Sequence, residues 1–200
     1  MVNTPSTPVR IGILGAHSTG KTLLLRRIEM ELRGHGLTVA RTGRLGKRAA
    51  ATGLPKMERH TAESTEWILA QGIADEIAAR ASGADVVLVD RAPHDALAYW
   101  HAALEYRDER ALRRECDRLL TLASTQLLKY DLLFATVLDE NVPLDTGHAY
   151  DPRYRRLVDR HVHHLLQDES IPHQRVTSDP DSQDHAVHVA MQLCLTEAPV

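Results

Sequence analysis

The chain has 200 residues, 43% hydrophobic and 26% charged, with a net charge of −3. These values fit one domain over 1–200 with an ordinary core, and the near-balanced charge excludes a broad basic field for nucleic acid. With one Phe, two Trp and five Tyr, aromatic base-stacking platforms are not expected and the core must rest on Leu, Val, Ile and Ala. The opening MVNTPSTPVR lacks the apolar stretch of a signal peptide, so residues 1–8 are expected to be a flexible polar tail. Val9 to Leu14 is a short apolar run that reads as a buried strand. Lys21 to Arg33 carries Leu23, Leu24, Ile28 and Leu32 at helical spacing, and Gly34 and Gly36 stop it. LTVART is a second short strand, and basic Gly43 to His60 reads as a loop with a short helix. Thr61 to Ala81 predicts a long amphipathic helix that keeps Trp67, Ile68, Ile73 and Ile77 in phase, with Thr61 and Ser64 as start signals.

DVVLVD, Asp85 to Asp90, holds four apolar residues between aspartates, as in a strand buried on both faces of a parallel sheet. Ala92 to Lys129 predicts two helical segments broken near Arg107. YDLLFATVL is the next buried strand, followed by a polar loop, a helix over Arg153 to Gln167, a short strand in HQRVTS and a helix from Asp184 to Leu195. This alternation predicts an α/β domain whose parallel sheet is covered by helices. Cys116 and Cys194 lack metal-ligand spacing and read as reduced thiols. With no apolar stretch long enough for a bilayer, the expectation is a cytoplasmic protein with no membrane partner and no nucleic acid partner.

The chemistry concentrates in GAHSTGKT. Gly15, Ala16, His17, Ser18, Thr19, Gly20, Lys21 and Thr22 match G-x-x-x-x-G-K-[ST], the Walker A loop, between a strand and a helix. Glycines allow backbone angles that turn successive N–H groups inward as an anion nest, and the following helix offers its positive end to phosphate. Lys21 supplies a cation to the β- and γ-phosphates. Thr22 offers a hydroxyl to Mg²⁺, which favours oxygen ligands. His17 is expected to turn its ring outward. The ligands implied are ATP (or GTP) with Mg²⁺.

Such a loop needs an acid at the end of a neighbouring strand. Asp90 ends the DVVLVD run and is the candidate metal organiser, or the base for an attacking hydroxyl. Asp85 sits at the strand's other end, away from the phosphates. Arg91 can meet a substrate anion or pair with a nearby acid, and Asp95 either faces the site or caps a helix.

GAHSTGKT after a strand, VVLVDRAPHDALAYW and LLFATVLDENVPLDTGHAYDPRYRR together resemble the P-loop NTPase group that includes the nicotinamide-riboside kinase domain of bacterial NadR-type proteins. The resemblance spans the first strand to the last helix. It implies a three-layer fold, a parallel sheet of about five strands with the first central, a helical lid, and phosphoryl transfer from ATP or GTP to a small hydroxyl-bearing acceptor. Two stretches depart from the group. VARTGRLGKR lacks the acid usual after the second strand, and Thr146-Gly147-His148 stands where Asp-Gly and an arginine are usual.

Among the lid arginines, Arg153 is favoured as the catalytic cation and Arg156 is assigned to the nucleotide; Arg155 and Arg156, adjacent on a helix, cannot both face one phosphate. Arg41, Arg44, Lys47 and Arg48 form a basic segment, of which Arg44 is the candidate acceptor contact with Gln71 and Arg91. Trp67 can stack there or sit in the core. Of the twelve histidines, HVHH pairs His161 with His164 on one helix face, without a third ligand at metal spacing. Two functions follow: a small-molecule kinase acting on a nucleoside-like metabolite, or a regulatory protein that hydrolyses nucleotide slowly and switches a partner. A homo-oligomer is compatible with either.

Overall fold

Each apolar run becomes a strand of one parallel sheet in the computed structural model, which describes residues 7–127, 129–142 and 151–196. The strands are β1 (Val9–Leu14), β2 (Val39–Thr42), β3 (Val86–Asp90), β4 (Leu132–Thr136) and β5 (Gln174–Val176). Their order is β2-β3-β1-β4-β5, all parallel, with β1 central. Parallel neighbours require crossovers, and the helices supply them: α1 (Lys21–Gly34), α2 (Leu45–Ala51), α3 (Ala62–Ala81), α4 (Pro93–Tyr106), α5 (Arg113–Leu127), α6 (Pro152–Asp168) and α7 (Pro180–Thr196). Of the tail expected over residues 1–8, residues 1–6 lie outside the described residues, as do Thr146-Gly147-His148, while Pro8 is buried.

Side chains alternate across the sheet. Ile11, Ile13, Val86 and Leu88 pack on α1 and α7, through Leu24, Leu25, Ile28, Ala190 and Cys194. Leu14, Leu133 and Ala135 pack on the other face, against Tyr99 and Ala102 of α4 and Tyr154, Val158 and Val162 of α6. A third cluster joins α3, α4 and α5 around Leu97, Trp100 and Leu119. The result is the three-layer architecture expected from the sequence.

Two helical faces differ from expectation. Leu23 is 58% exposed, and Leu25 takes the inner position with Leu24, Ile28 and Leu32. On α3, Ile77 is exposed and Trp67 only half-buried, while Ser64, Thr65, Leu69 and Glu76 face inward. The helix packs a partly polar face because its inner residues meet other polar groups. Thr61 and Ser64 form a reciprocal cap, with Thr61 N donating to Ser64 Oγ at 2.9 Å and Ser64 N to Thr61 Oγ1 at 3.2 Å. Glu76 meets Arg10 in a buried ion pair and accepts from Tyr130 Oη at 2.8 Å.

Because all strands are parallel, their C-terminal ends share one edge, and that edge gathers the functional residues. Gly15 follows β1, Gly43 follows β2, Asp90 ends β3 and Thr136 ends β4. Asp85, at the opposite end of β3, accepts from Thr38 N at 2.7 Å and from Thr38 Oγ1 at 2.6 Å.

Candidate phosphate-binding site

Gly15 has φ +142°, and a Cβ there would overlap Thr136 Oγ1, so the β1–loop junction admits only glycine. Gly20 caps α1 in the left-handed region with φ 82°. Between them Ser18 also has φ 57°, a strained conformation for a side-chain-bearing residue. Three neighbours hold the loop in this shape. Asp95 Oδ1 accepts from Gly15 N at 2.8 Å. Thr136 Oγ1 lies 2.6 Å from Thr19 Oγ1 and donates to Leu14 O at 3.1 Å. Arg155, 6% exposed, donates from Nε to His17 O at 3.1 Å and from Nη2 to Ser18 O at 2.9 Å. A trans peptide puts each carbonyl opposite the next N–H. With the carbonyls of His17 and Ser18 turned toward Arg155, the N–H groups of Ser18 and Thr19 point the other way, as an anion nest requires.

Lys21 is buried at the start of α1, and its ammonium donates to Ala16 O and, at 3.3 Å, to Thr19 Oγ1. Burial pulls its pKa down to about 7; Arg91 lowers it further, against the opposing pull of Asp95 and Asp90. Phosphate oxygens beside the lysine would restore its charge. One residue on, Thr22 Oγ1 donates to Asp90 Oδ2 at 3.2 Å. A hydroxyl and a carboxylate so paired form an oxygen-only donor set suited to Mg²⁺. Asp90 also meets Arg41 Nη2 at 3.1 Å, and Arg41 reaches Glu29 at 3.7 Å. Gly43 lets β2's exit approach closely, since a Cβ there would lie 2.9 Å from the Asp90 Cβ.

His17 corrects an expectation. Its ring is buried rather than turned outward, stacked 6.3 Å from the Tyr154 ring, with Nδ1 3.4 Å from Tyr99 Oη. Two tyrosines under the loop leave an apolar slot that the ring fills. Burial, with Arg91, Lys21 and Arg155 nearby, holds its pKa down to about 3.

The three arginines that the sequence assigns to a lid take different places in the structure. Arg155 alone of the three contacts the loop among the described residues. Arg153, favoured in the sequence, lies 5.1 Å from the Tyr106 ring centroid, and Arg156 meets Glu140 at 3.4 Å. The reason is helical phase: Asp151 caps α6 through Arg153 N and Tyr154 N, and Tyr154 turns inward, which carries Arg155 to the loop side.

Arg91 meets Asp95 at 2.5 Å and lies 4.8 Å from the Tyr99 ring centroid. Burial alone would lower its pKa, but Tyr99 and Asp95 outweigh that and raise it. Of the two sequence alternatives Asp95 takes the first: it grips the loop and Arg91 from the first turn of α4, whose N-cap is Ala92 and makes no side-chain cap hydrogen bond. Arg91 and Asp95 also line a pocket bounded by α2, α3 and α4. Of the other expected acceptor contacts, Arg44 is exposed at the start of α2, and Gln71 donates to Asp75 at 2.8 Å; neither lines the pocket. Ile68, Gly72 and Ile73 of α3 do, and so does His60, which the sequence reading did not single out. Arg48 pairs with Asp75. In HVHH, His161 meets Glu105 at 2.8 Å. Among the described residues no group of three His, Cys, Asp or Glu is gathered to hold a metal, and no helix is long and apolar enough to cross a membrane.

The parallel sheet, the Walker A loop after its central strand and the acid ending the neighbouring strand define a P-loop NTPase of kinase-like fold. A family described as AAA domain matches residues 10–182, and the chain belongs to it. No curated protein matches the sequence. Among solved structures, a NadR protein in complex with NAD and AMP-PNP is similar at a TM-score of 0.67 and 14% identity, covering 97% of this chain and 51% of its own. A NadR protein in complex with NR gives 0.63 and 14%, covering 97% and 52%. Thymidylate kinase from Ehrlichia chaffeensis gives 0.59 and 15%, covering 96% and 100%. The chain therefore spans about half the length of the NadR structures it matches, and the likeness bears on the fold.

Proposed function

We propose that this protein is a small-molecule kinase that moves the γ-phosphoryl group of ATP or GTP to a hydroxyl of a nucleoside-like acceptor. The observation that carries this reading is the pocket beside Asp90: Val89 and Arg91, the residues flanking that acid, both line it. In this reading an acceptor hydroxyl passing Val89 and Arg91 comes up to Asp90, which ends β3 just outside the pocket lining and next to the phosphate loop. Likeness to NadR structures holding AMP-PNP or NR and to a thymidylate kinase supports the same reading.

In this reading the N–H groups of the loop and Lys21 hold the nucleotide's phosphates and neutralise charge as it spreads over the transferring oxygens. Thr22 and Asp90 would hold Mg²⁺, which supplies further positive charge there. The acceptor oxygen forms a bond to the γ-phosphorus as the bond to the bridging oxygen breaks, and the hydroxyl proton passes to Asp90 and then to solvent. Apolar walls of the pocket exclude water from the acceptor side, which limits wasteful hydrolysis.

The test is ADP or GDP release from ATP or GTP with Mg²⁺, with and without a pool of nucleosides and small phosphorylated metabolites, beside Lys21→Ala. Stimulation by the pool that disappears in the variant supports the kinase. A slow rate indifferent to the pool, with tight nucleotide binding intact, overturns it in favour of a nucleotide-dependent switch.

A further inference from the structure

We infer that His60 is the specificity residue of the pocket, and that it reads the polar edge of an uncharged ring on the acceptor. The inference rests on the kinase reading for the identity of the bound molecule as acceptor, and on the pocket alone for its binding.

The walls are apolar and opposed. Leu45, Met57, Ile68 and Ile73 come from α2, the 3₁₀ turn Met57–Arg59 and α3, while Pro93 and Ala96 come from α4. The charges in contact with the pocket are largely spent on one another. Arg91 pairs with Asp95, and Glu76 pairs with Arg10 and Tyr130. Lys56 stands exposed at the rim. A charged group driven between these walls would lose hydration without a free buried counter-charge. A flat uncharged ring would gain burial on both faces.

His60 is the exception to this mutual satisfaction. It lines the pocket, is 3% exposed, and its Nε2 is buried without a hydrogen-bond partner. A buried polar atom left unpaired costs stability, and a ligand that pairs it recovers that cost. The backbone that carries the ring is held in place. Arg107, just past α4, donates to Glu58 O and, at 3.3 Å, to His60 O. The turn before it contains Met57 at φ 57°, an unfavourable conformation for a methionine that this anchoring maintains. Desolvation, with Arg107 and Arg91 nearby, keeps the imidazole neutral, so Nε2 offers one donor or one acceptor according to tautomer. A ring edge bearing an amide or amino group can match either.

The experiment follows the histidine nitrogens of ¹⁵N-histidine-labelled full-length protein by NMR. Adenosine, guanosine, cytidine, uridine and thymidine serve as probes, with ribose as the ring-free control. The expected result is that at least one nucleoside shifts the His60 Nε2 resonance and ribose does not. His60→Phe fills similar volume without a hydrogen bond and should weaken that nucleoside about tenfold. His60→Gln should retain binding within about threefold, and ATP affinity should be unchanged in both variants. If His60→Phe does not fold, the wild-type spectra and His60→Gln still decide. The inference is overturned if no nucleoside moves the His60 signal, or if His60→Phe binds as the wild type does. Phosphoryl transfer to a ring-free acceptor would refute this inference while sparing the kinase. A nucleoside bound at His60 with no transfer would do the reverse.

Discussion

Asp95 grips the phosphate loop through Gly15: its Oδ1 accepts the Gly15 N–H at 2.8 Å while Oδ2 meets Arg91 at 2.5 Å. One carboxylate, 1% exposed, thus ties the first loop residue to the wall of the pocket between α2, α3 and α4. Asp95→Ala removes the anion, strands the Gly15 N–H and leaves Arg91 with only the Tyr99 face. Arg91 keeps 33% of its side chain exposed, so the loss is that of a stranded buried N–H and a partly solvated charge, about 1–3 kcal/mol, and urea unfolding should show a decrease of that order. Asp95→Asn keeps an oxygen for Gly15 and should lose less. An unchanged midpoint for Asp95→Ala would show that the tie carries no stability.

The contrast between Arg155 and Arg153 gives a second prediction. Arg155→Ala frees the carbonyls of His17 and Ser18 and lets their peptides rotate, which spoils the inward N–H groups. Two charge-assisted hydrogen bonds are lost, and nucleotide affinity should fall about tenfold or more. Arg153→Ala removes only a stacking contact on Tyr106 and should change affinity by less than about twofold. Titration with a fluorescent ATP analogue separates the two; equal effects would refute the brace.

Much of this site was legible in the sequence, and the remainder has a geometric cause. The strands, the loop with its glycines and the acid ending β3 are local patterns: apolar runs, a fixed spacing and a strand end. The bearing of three near-adjacent arginines is not local. Successive helix residues turn by about 100°, so an inward Tyr154 decides which arginine meets the loop, and that tyrosine is set by α4 packing. His17 turned inward for a similar reason, since Tyr99 and Tyr154 arrive from distant segments. His60 sits in a short turn with no periodic signal, and only the pocket gives it meaning.

Arg41 offers a third prediction. It stands on the strand whose exit usually carries an acid in the group this sequence resembles, and it meets Asp90 at 3.1 Å. A guanidinium on that carboxylate competes with a divalent cation for the same oxygen. Arg41→Ala should free Asp90 and lower the Mg²⁺ concentration needed for half-maximal nucleotide binding by about two- to fivefold, a modest gain because the pair is partly solvated. Isothermal titration of nucleotide at graded Mg²⁺ reads it. A rise in the required Mg²⁺ would instead mean that Arg41 holds Asp90 in its binding orientation.

Buried histidines should make the fold sensitive to acid. His17, His60 and His94 are buried and neutral, with pKa values lowered from 6.5 to about 3, about 4 and about 4, burial being the largest cause in each. Above pH 6.5 they are mostly neutral in both the folded and unfolded chain, so they contribute little pH dependence there. Below 6.5 the unfolded chain takes up protons that the folded chain refuses, and stability falls with pH until the folded pKa values are reached. By pH 5 each histidine should cost about 1–2 kcal/mol. His94, both of whose ring nitrogens lack a hydrogen-bond partner, gains least from its surroundings and is the one to replace. His94→Gln cannot titrate, so its unfolding free energy should fall less steeply between pH 6.5 and pH 4 than that of the wild type, whatever its stability at pH 7. Parallel pH profiles for the two proteins would show that His94 is not a source of the acid sensitivity.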